Sequence, residues 1–186
     1  VPLYSPVIDS KLIYMMLSLC LKHENNFGVL DVKGAFFKAM MDANEEVYVH
    51  LEPKIATRMV KLKPNWSKFL RKDKSMMVIS DKAWYGTAVA SALWNKEITA
   101  TLTKICGYQQ HSMCKCLFYK HVNGHLCFIL LHVDDLGISM PPDGVERDRV
   151  IMILEKKYET LKKKEGDRVI YIGLEIRRCR STKQFY

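Results

Sequence analysis

The chain has 186 residues, 48% of them hydrophobic, enough for one domain with a proper core or for such a domain with a small subdomain set into it. Its longest apolar stretches, Leu12 to Leu21 and Leu126 to Leu131, are too short to span a bilayer, and its six cysteines are irregularly spaced behind no secretory leader. A soluble protein of a reducing compartment, without a disulfide framework, is therefore expected. A formal charge of +9, from 29 basic against 20 acidic residues, is gathered at Lys61/Lys63, Lys68 to Lys74, Lys162 to Lys164 and Arg177 to Arg180, and points to a polyanionic partner.

The opening Val1, with no methionine, suggests a piece of a longer chain or a processed product. Leu12, Ile13, Met16, Leu17, Cys20 and Leu21 recur at helical spacing behind Asp9 or Ser10, either of which suits an N-cap. After Asn25-Asn26, Phe27 to Val32 reads as a buried strand that ends in Asp31, and Val47, Val49 and Leu51 alternate with polar residues as a half-buried one. Residues 53–75 mix prolines and lysines around Trp66 to Leu70 and read as a protruding connection, before a short strand from Met76 to Ile79. From Trp84, the positions Ser91, Trp94, Ile98, Leu102 and Ile105 share one helical face, with Gly107 at its C-terminal end.

Leu117 to Lys120 and His125 to Val133 form strands joined by Asn123-Gly124, a strong hairpin signal, and Ile138 to Met140 pairs back across Asp134-Asp135. The turn after Pro141 leads to a helix carrying Val150, Ile153, Leu154 and Leu161, and Val169 to Ile176 is a last strand. With the irregular segment set aside, the order strand, helix, strand pair, helix, strand is that of an α+β fold with a split βαβ, ferredoxin-like sheet and helices on one face.

Such a sheet can bring Asp31 beside Asp134 and Asp135. Neighbouring strand residues point to opposite faces, so both members of the pair serve one site only if the chain turns there, as Leu136-Gly137 permits. Three gathered carboxylates repel one another unless a divalent cation lies between them, and oxygen-only ligands select hard ions such as magnesium. His111, Cys114, Cys116, His121, His125 and Cys127 crowd residues 111–127, but their spacing fits no common zinc finger.

In order along the chain, DVKGAFF, EEVYVHLEP, KAWYG with a downstream Trp94, GY, LFYK, LHVDDLGIS and YIGLEI resemble the reverse transcriptase domain of copia-type retrotransposons, from about Tyr4 to Ile176. The resemblance implies a fingers and palm portion spanning residues 1–186, with the palm mainly in 9–46 and 81–176 and a finger-like insertion at about 47–80. The family's thumb and RNase H domain are not expected within this span, nor is the basic finger strand that precedes its Ser-Pro-Val, here Ser5 to Val7. It implies an RNA-directed DNA polymerase acting on an RNA or DNA template-primer and deoxynucleoside triphosphates. Two magnesium ions, with manganese as a substitute, would be held by Asp31, Asp134 and Asp135 and the Val32 carbonyl.

By the same resemblance Lys33, Gly34, Ala35, Phe36 and Gly86 contact the nucleotide, with Phe36 beneath the sugar where a ring excludes a 2′-hydroxyl. Lys162, Lys163, Lys164, Arg177 and Arg178 are the nucleic-acid-binding candidates, and one of the lysines could protonate the leaving pyrophosphate. Other segments of a parent polyprotein are further candidate partners, and an intracellular retroelement particle, cytoplasmic or nuclear, is the implied setting. The chain departs from the family after Gly86, where Thr87 to Ala92 replaces a common Leu-Lys-Gln-Ala-Pro-Arg run. That departure keeps a rival in view: a domesticated or decayed, noncatalytic domain serving as a nucleic-acid-binding or protein-interaction module.

Overall fold

Of the two cap candidates, Ser10 is the first residue of the first helix and Asp9 caps it. Its carboxylate accepts a hydrogen bond from the Lys11 N–H at 2.9 Å, which satisfies one of the donors a helix start leaves open. A computed structural model describes residues 5–41, 46–87 and 89–186; Tyr4, Glu45 and Ala88, named in the sequence comparison above, lie outside the described residues. Helix α1 (Ser10–Lys22) buries Ile13, Met16, Leu17 and Cys20 along one stripe. It leaves through Glu24, at φ +53, into Asn25, whose buried amide donates to the Leu126 carbonyl (2.9 Å) and to Ser139 Oγ (3.1 Å). A buried amide without partners would be costly, so these bonds fix where strand β1 (Asn26–Val32) starts against its neighbours.

A one-turn helix, α2 (Ala35–Lys38), follows β1, then strand β2 (Val47–Leu51), with Val47, Val49 and Leu51 half-buried as the alternation requires. Next comes a departure from expectation. Residues read as an irregular connection form helix α3 (Pro53–Leu62) and a 3-10 turn (Pro64–Phe69). Pro53 sits at the first helical position, where its ring presets φ and its missing N–H costs nothing, so a proline that opens a stretch read as irregular starts a helix. Only Ala56 of α3 is fully buried. Strand β3 (Met76–Ser80) pairs antiparallel with β2 as a separate two-stranded sheet.

Helix α4 (Ala90–Ala100) starts six residues later than expected and runs into a π turn at Thr101–Ile105. The wider turn shifts the helical phase, so Ile105, predicted to face the core, is exposed, while Cys106 and Tyr108 are buried. Strands β4 (Gln109–Gln110), β5 (Leu117–Val122), β6 (His125–His132) and β7 (Asp135–Met140) follow, with β5 and β6 joined through Asn123 (φ +49) and Gly124 (φ +81).

Helix α5 (Val145–Tyr158) is shorter than expected: Leu161 to Glu165 form strand β8, so Leu161 and the lysine run belong to the sheet. The single last strand is in fact a hairpin, β9 (Arg168–Tyr171) and β10 (Leu174–Cys179), which turns at Ile172 (φ +50) and Gly173 (φ +76) and is followed by β11 (Gln184–Phe185). Two consecutive positive φ values inside an apolar run leave no local trace beyond one glycine.

The chain is thus of mixed helix and sheet. Its main sheet has the order β4-β5-β6-β7-β1-β8, with antiparallel neighbours. Even-numbered Leu30, Val32, Leu136 and Ile138 join one core with Trp94 and Ile98 of α4 and Val150, Leu154 and Tyr158 of α5. Phe27, Val29, Phe128 and Leu130 face the other way, against Met16 and Leu17 of α1 and Val169, Tyr171 and Ile176 of the β9–β10 hairpin. Helices therefore cover both faces, not one: α1 is on the side opposite α4 and α5. No helix of the described residues is long and apolar enough to cross a membrane.

Candidate active site

The alternation that sends Phe27 and Val29 toward α1 sends Asp31 to the same face, at the end of β1 where that cover stops. Register does the rest. Asp31 is the cross-strand partner of Asp135 on β7 and, on its other side, of Lys162 on β8; Asp135 is in turn the partner of His132 on β6. Directly opposed residues share a face, so His132, Asp135, Asp31 and Lys162 form one row across four strands. Lys162 Nζ lies 3.4 Å from Asp31 Oδ2.

Asp134 enters the row from a turn, but not the turn its sequence suggests. Val133 and Asp134 make the two-residue connection between β6 and β7, while Leu136 and Gly137 lie inside β7. Val133 carries φ +54, unfavourable for a β-branched residue, and the turn is held in place from two sides. Trp94 Nε1 donates to the Val133 carbonyl at 2.6 Å, and the Val32 N–H donates to the Asp134 carbonyl at 3.1 Å. Gly137 serves a different purpose: a Cβ there would sit 2.9 Å from the ring of Tyr171, whose hydroxyl donates to the Leu130 carbonyl.

The electrostatics report the crowding. Burial raises the Asp135 pKa, the charges of Asp134 and Asp31 raise it further, and Lys164 and His132 oppose them. Burial raises the Tyr85 hydroxyl pKa, and the charges of Asp134 and Asp31 raise it further. His132 Nδ1 is buried and has no hydrogen-bond partner among the described residues. Among the described residues no three His, Cys, Asp or Glu side chains already converge as a metal cluster. The donors nonetheless suit a hard divalent cation: they are carboxylate oxygens whose mutual repulsion such a charge relieves, with Lys162 beside Asp31 and Lys164 acting on Asp135 partly opposing it.

Around the carboxylates lies an aromatic shelf. The chain leaves β1 through Lys33 and Gly34, whose φ of +65 favours glycine, and Phe36 of α2 stacks on Tyr85 at 4.4 Å between ring centroids. Phe37 contacts both Trp84 and Tyr85 edge-on at 5.5 Å. Gly86 follows at φ +90 with open space around its Cα. Lys33, Gly34 and Phe36 follow Asp31 within five residues, Gly86 adjoins the Tyr85 that stacks on Phe36, and Ala35 is fully buried. Trp84 and Tyr85 were not singled out as site residues; their only sequence signal is their place immediately before Gly86.

The basic candidates divide. Lys162 and Lys164 lie on the carboxylate face, opposite Asp31 and Val29, whereas Lys163 points to the α5 side and pairs with Glu155 at 2.7 Å. Arg177 pairs with Glu175 at 2.9 Å, and Arg178 donates to the Asn25 carbonyl (2.8 Å) and Asn26 Oδ1 (3.1 Å), at the opposite end of β1 from Asp31. The histidines and cysteines of residues 111–127 are spread apart. His111 Nδ1 accepts from the Met113 and Cys114 N–H groups, His125 bonds to the His23 carbonyl, and burial pushes the Cys116 and Cys127 thiols up to about 11.

A protein-family model described as reverse transcriptase (RNA-dependent DNA polymerase) matches residues 2–184 of the chain. No curated protein matches it.

Proposed function

Because the chain belongs to the reverse transcriptase (RNA-dependent DNA polymerase) family, we propose that it is a fingers and palm portion of a copia-type RNA-directed DNA polymerase. In this reading the strands β6-β7-β1-β8 with α4 and α5 are the palm, a split βαβ sheet, and α3 with β2 and β3 belongs to the finger-like insertion. The observation that carries the reading is the register: Asp31 directly opposite Asp135, with Asp134 in the adjoining turn bonded back to Val32.

Asp31, Asp134 and Asp135, with the Val32 carbonyl, are the residues that would hold divalent cations, magnesium or manganese. When bound, these ions supply activation of a primer 3′-hydroxyl and neutralise charge on the α-phosphate and the leaving pyrophosphate. The chain's own residues prepare that chemistry. The Trp94 and Val32 bonds hold Asp134 at the mouth of the sheet, so no reorganisation is needed when substrate arrives. Lys162 steadies the Asp31 carboxylate, and the Phe36–Tyr85 pair forms a flat apolar wall beside it for a deoxyribose or base. Gly34 and Gly86 let a substrate approach the backbone closely, and Lys33 and Lys164 offer charge to phosphates.

A second reading, a noncatalytic nucleic-acid-binding module of the same family, draws on Lys162, which already partly neutralises Asp31, and on the run Thr87 to Ala92. The test is magnesium-dependent extension of a DNA primer on an RNA template by the purified chain, with Asp134→Asn alongside. Extension that disappears in the variant supports the polymerase. Absence of extension, with salt-sensitive hybrid binding intact, favours the module.

A further inference from the structure

Five buried side-chain nitrogen and oxygen atoms lack a hydrogen-bond partner among the described residues, and three of them belong to Ser5, Asn95 and Thr99. Asn95 and Thr99 stand at i and i+4 on one face of α4 and line a groove of about 610 Å³, while Ser5 directly precedes Pro6, which lines it too. An unpaired polar group is costly where water is excluded, so such a cluster marks a place where a partner supplies the missing bonds. The neighbouring Thr103 hydroxyl shows the contrast, since it donates back to the Thr99 carbonyl at 2.8 Å.

The groove's charge has one sign. Lys96, Lys104 and Lys115 line it, and among the described residues no aspartate or glutamate does. Lys104 and Lys115 are exposed and form no ion pair among the described residues. The Gln110 side-chain amide donates to the Lys115 carbonyl at 2.9 Å and so fixes the backbone that carries this lysine. Pro6, Leu93 and Ala100 make part of the lining aliphatic, and among the described residues no aromatic ring contributes to it. A single-stranded nucleic acid would meet charge here but no surface on which to stack its bases. A helix would meet apolar contact but keeps most of its N–H and C=O groups for itself. An extended peptide with acidic side chains suits all three features. Its carbonyls accept from the Asn95 amide, its N–H and C=O groups both suit the Thr99 hydroxyl, and its carboxylates reach the lysines. The chain's own net charge of +9 disfavours a second copy as the occupant.

We propose that this groove on α4 docks an extended, acidic peptide segment of a partner protein. The proposal goes beyond the polymerase reading and does not depend on it.

The test is fluorescence anisotropy of a labelled short peptide of alternating aspartate and leucine with the whole chain, at several salt concentrations. Binding is expected to weaken as salt rises, and replacing Lys104 and Lys115 together by glutamate should weaken it by about tenfold and flatten the salt dependence. Asn95→Leu with Thr99→Val should weaken binding several-fold at unchanged salt dependence, because these side chains meet the peptide backbone and not its charges. Methylating the peptide's backbone nitrogens should weaken binding to the wild type and affect that variant less, since the valine has no oxygen to accept from an N–H. The two lysines are exposed, and the Asn95 amide nitrogen and Thr99 hydroxyl make no hydrogen bond among the described residues, so both variants should fold, which circular dichroism checks. No binding by the wild type at about 1 mM peptide would overturn the proposal, as would wild-type affinity in either variant. Oligo-dT binding that falls in the Asn95→Leu, Thr99→Val variant as peptide binding does would assign the groove to a nucleic acid. Self-association of the wild type that is lost in the lysine variant would assign it to a second copy, and either result overturns the proposal.

Discussion

Asp31 of β1 and Asp135 of β7 stand directly opposite one another as cross-strand partners on one face of the main sheet. Like charges in that position destabilise a sheet, by roughly 0.2–1 kcal/mol on the scale of cross-strand pairs, and burial of Asp135 adds to the cost. The pair is therefore poorly placed for stability alone, as the proposed cation-binding role requires.

Asp135→Asn should stabilise the metal-free protein by about 0.5 kcal/mol, because one of the opposed charges is removed. In the wild type, magnesium or manganese should raise the melting temperature, and in the variant that increase should shrink. Thermal melts with and without each ion measure both effects. A variant less stable than wild type without metal would show that the two charges do not oppose each other.

Glu146 makes the opposite kind of contribution. Burial pushes its pKa up, but Arg149 at 2.7 Å and Lys120 at 3.2 Å outweigh this and hold the carboxyl below the usual glutamate range. A depressed carboxyl stabilises the fold above its unfolded pKa, and the contribution is lost as pH falls through the folded value. Glu146→Gln should cost about 2 kcal/mol near neutral pH, less than a fully buried pair because both cations are about a third exposed. Urea titrations should show the two proteins converging as pH falls below about 4.

Gly137→Ala should destabilise by about 2 kcal/mol, since the new methyl meets the buried Tyr171 ring at 2.9 Å. Tyr171→Ala opens that space at its own cost, so a double-mutant cycle should be strongly non-additive. Additive effects would show that the β9–β10 hairpin does not press on β7 at this point.

Val133→Asn should stabilise by about 0.5–1 kcal/mol, because asparagine tolerates the positive φ that strains a β-branched residue. Its carbonyl still accepts from Trp94, so the turn keeps its place. Denaturant midpoints compare the two, and a loss of stability would mean that the valine side chain contributes more by packing than its backbone loses.

Local signals were legible wherever neighbours in sequence are neighbours in space. The Asp9 cap, the stripe of α1, the Asn123-Gly124 hairpin and the run into Asp31 all appear where the residues place them. Misreadings arose where a residue has two uses. Pro53 opens a helix in a stretch read as an irregular connection, Gly137 makes room for Tyr171 and does not turn the chain, and Leu161 carries helical spacing into a strand. Among the candidate site residues, the juxtaposition of the three aspartates was legible from their strand ends. Tyr85, Trp84 and the orphaned His132 nitrogen were not, because their significance depends on what packs beside them.

By itself, the sequence determined which residues alternate, which turns are possible, and that carboxylates end two apolar strands, since periodicity and turn chemistry act over a few residues. Only the tertiary structure decided that His132, Asp135, Asp31 and Lys162 form one row. It also decided that Lys163 faces away and that α1 and α4 lie on opposite sides of the sheet. Register is a long-range property: a slip of one residue reverses every side chain, and the choice is made by the burial of two whole faces at once.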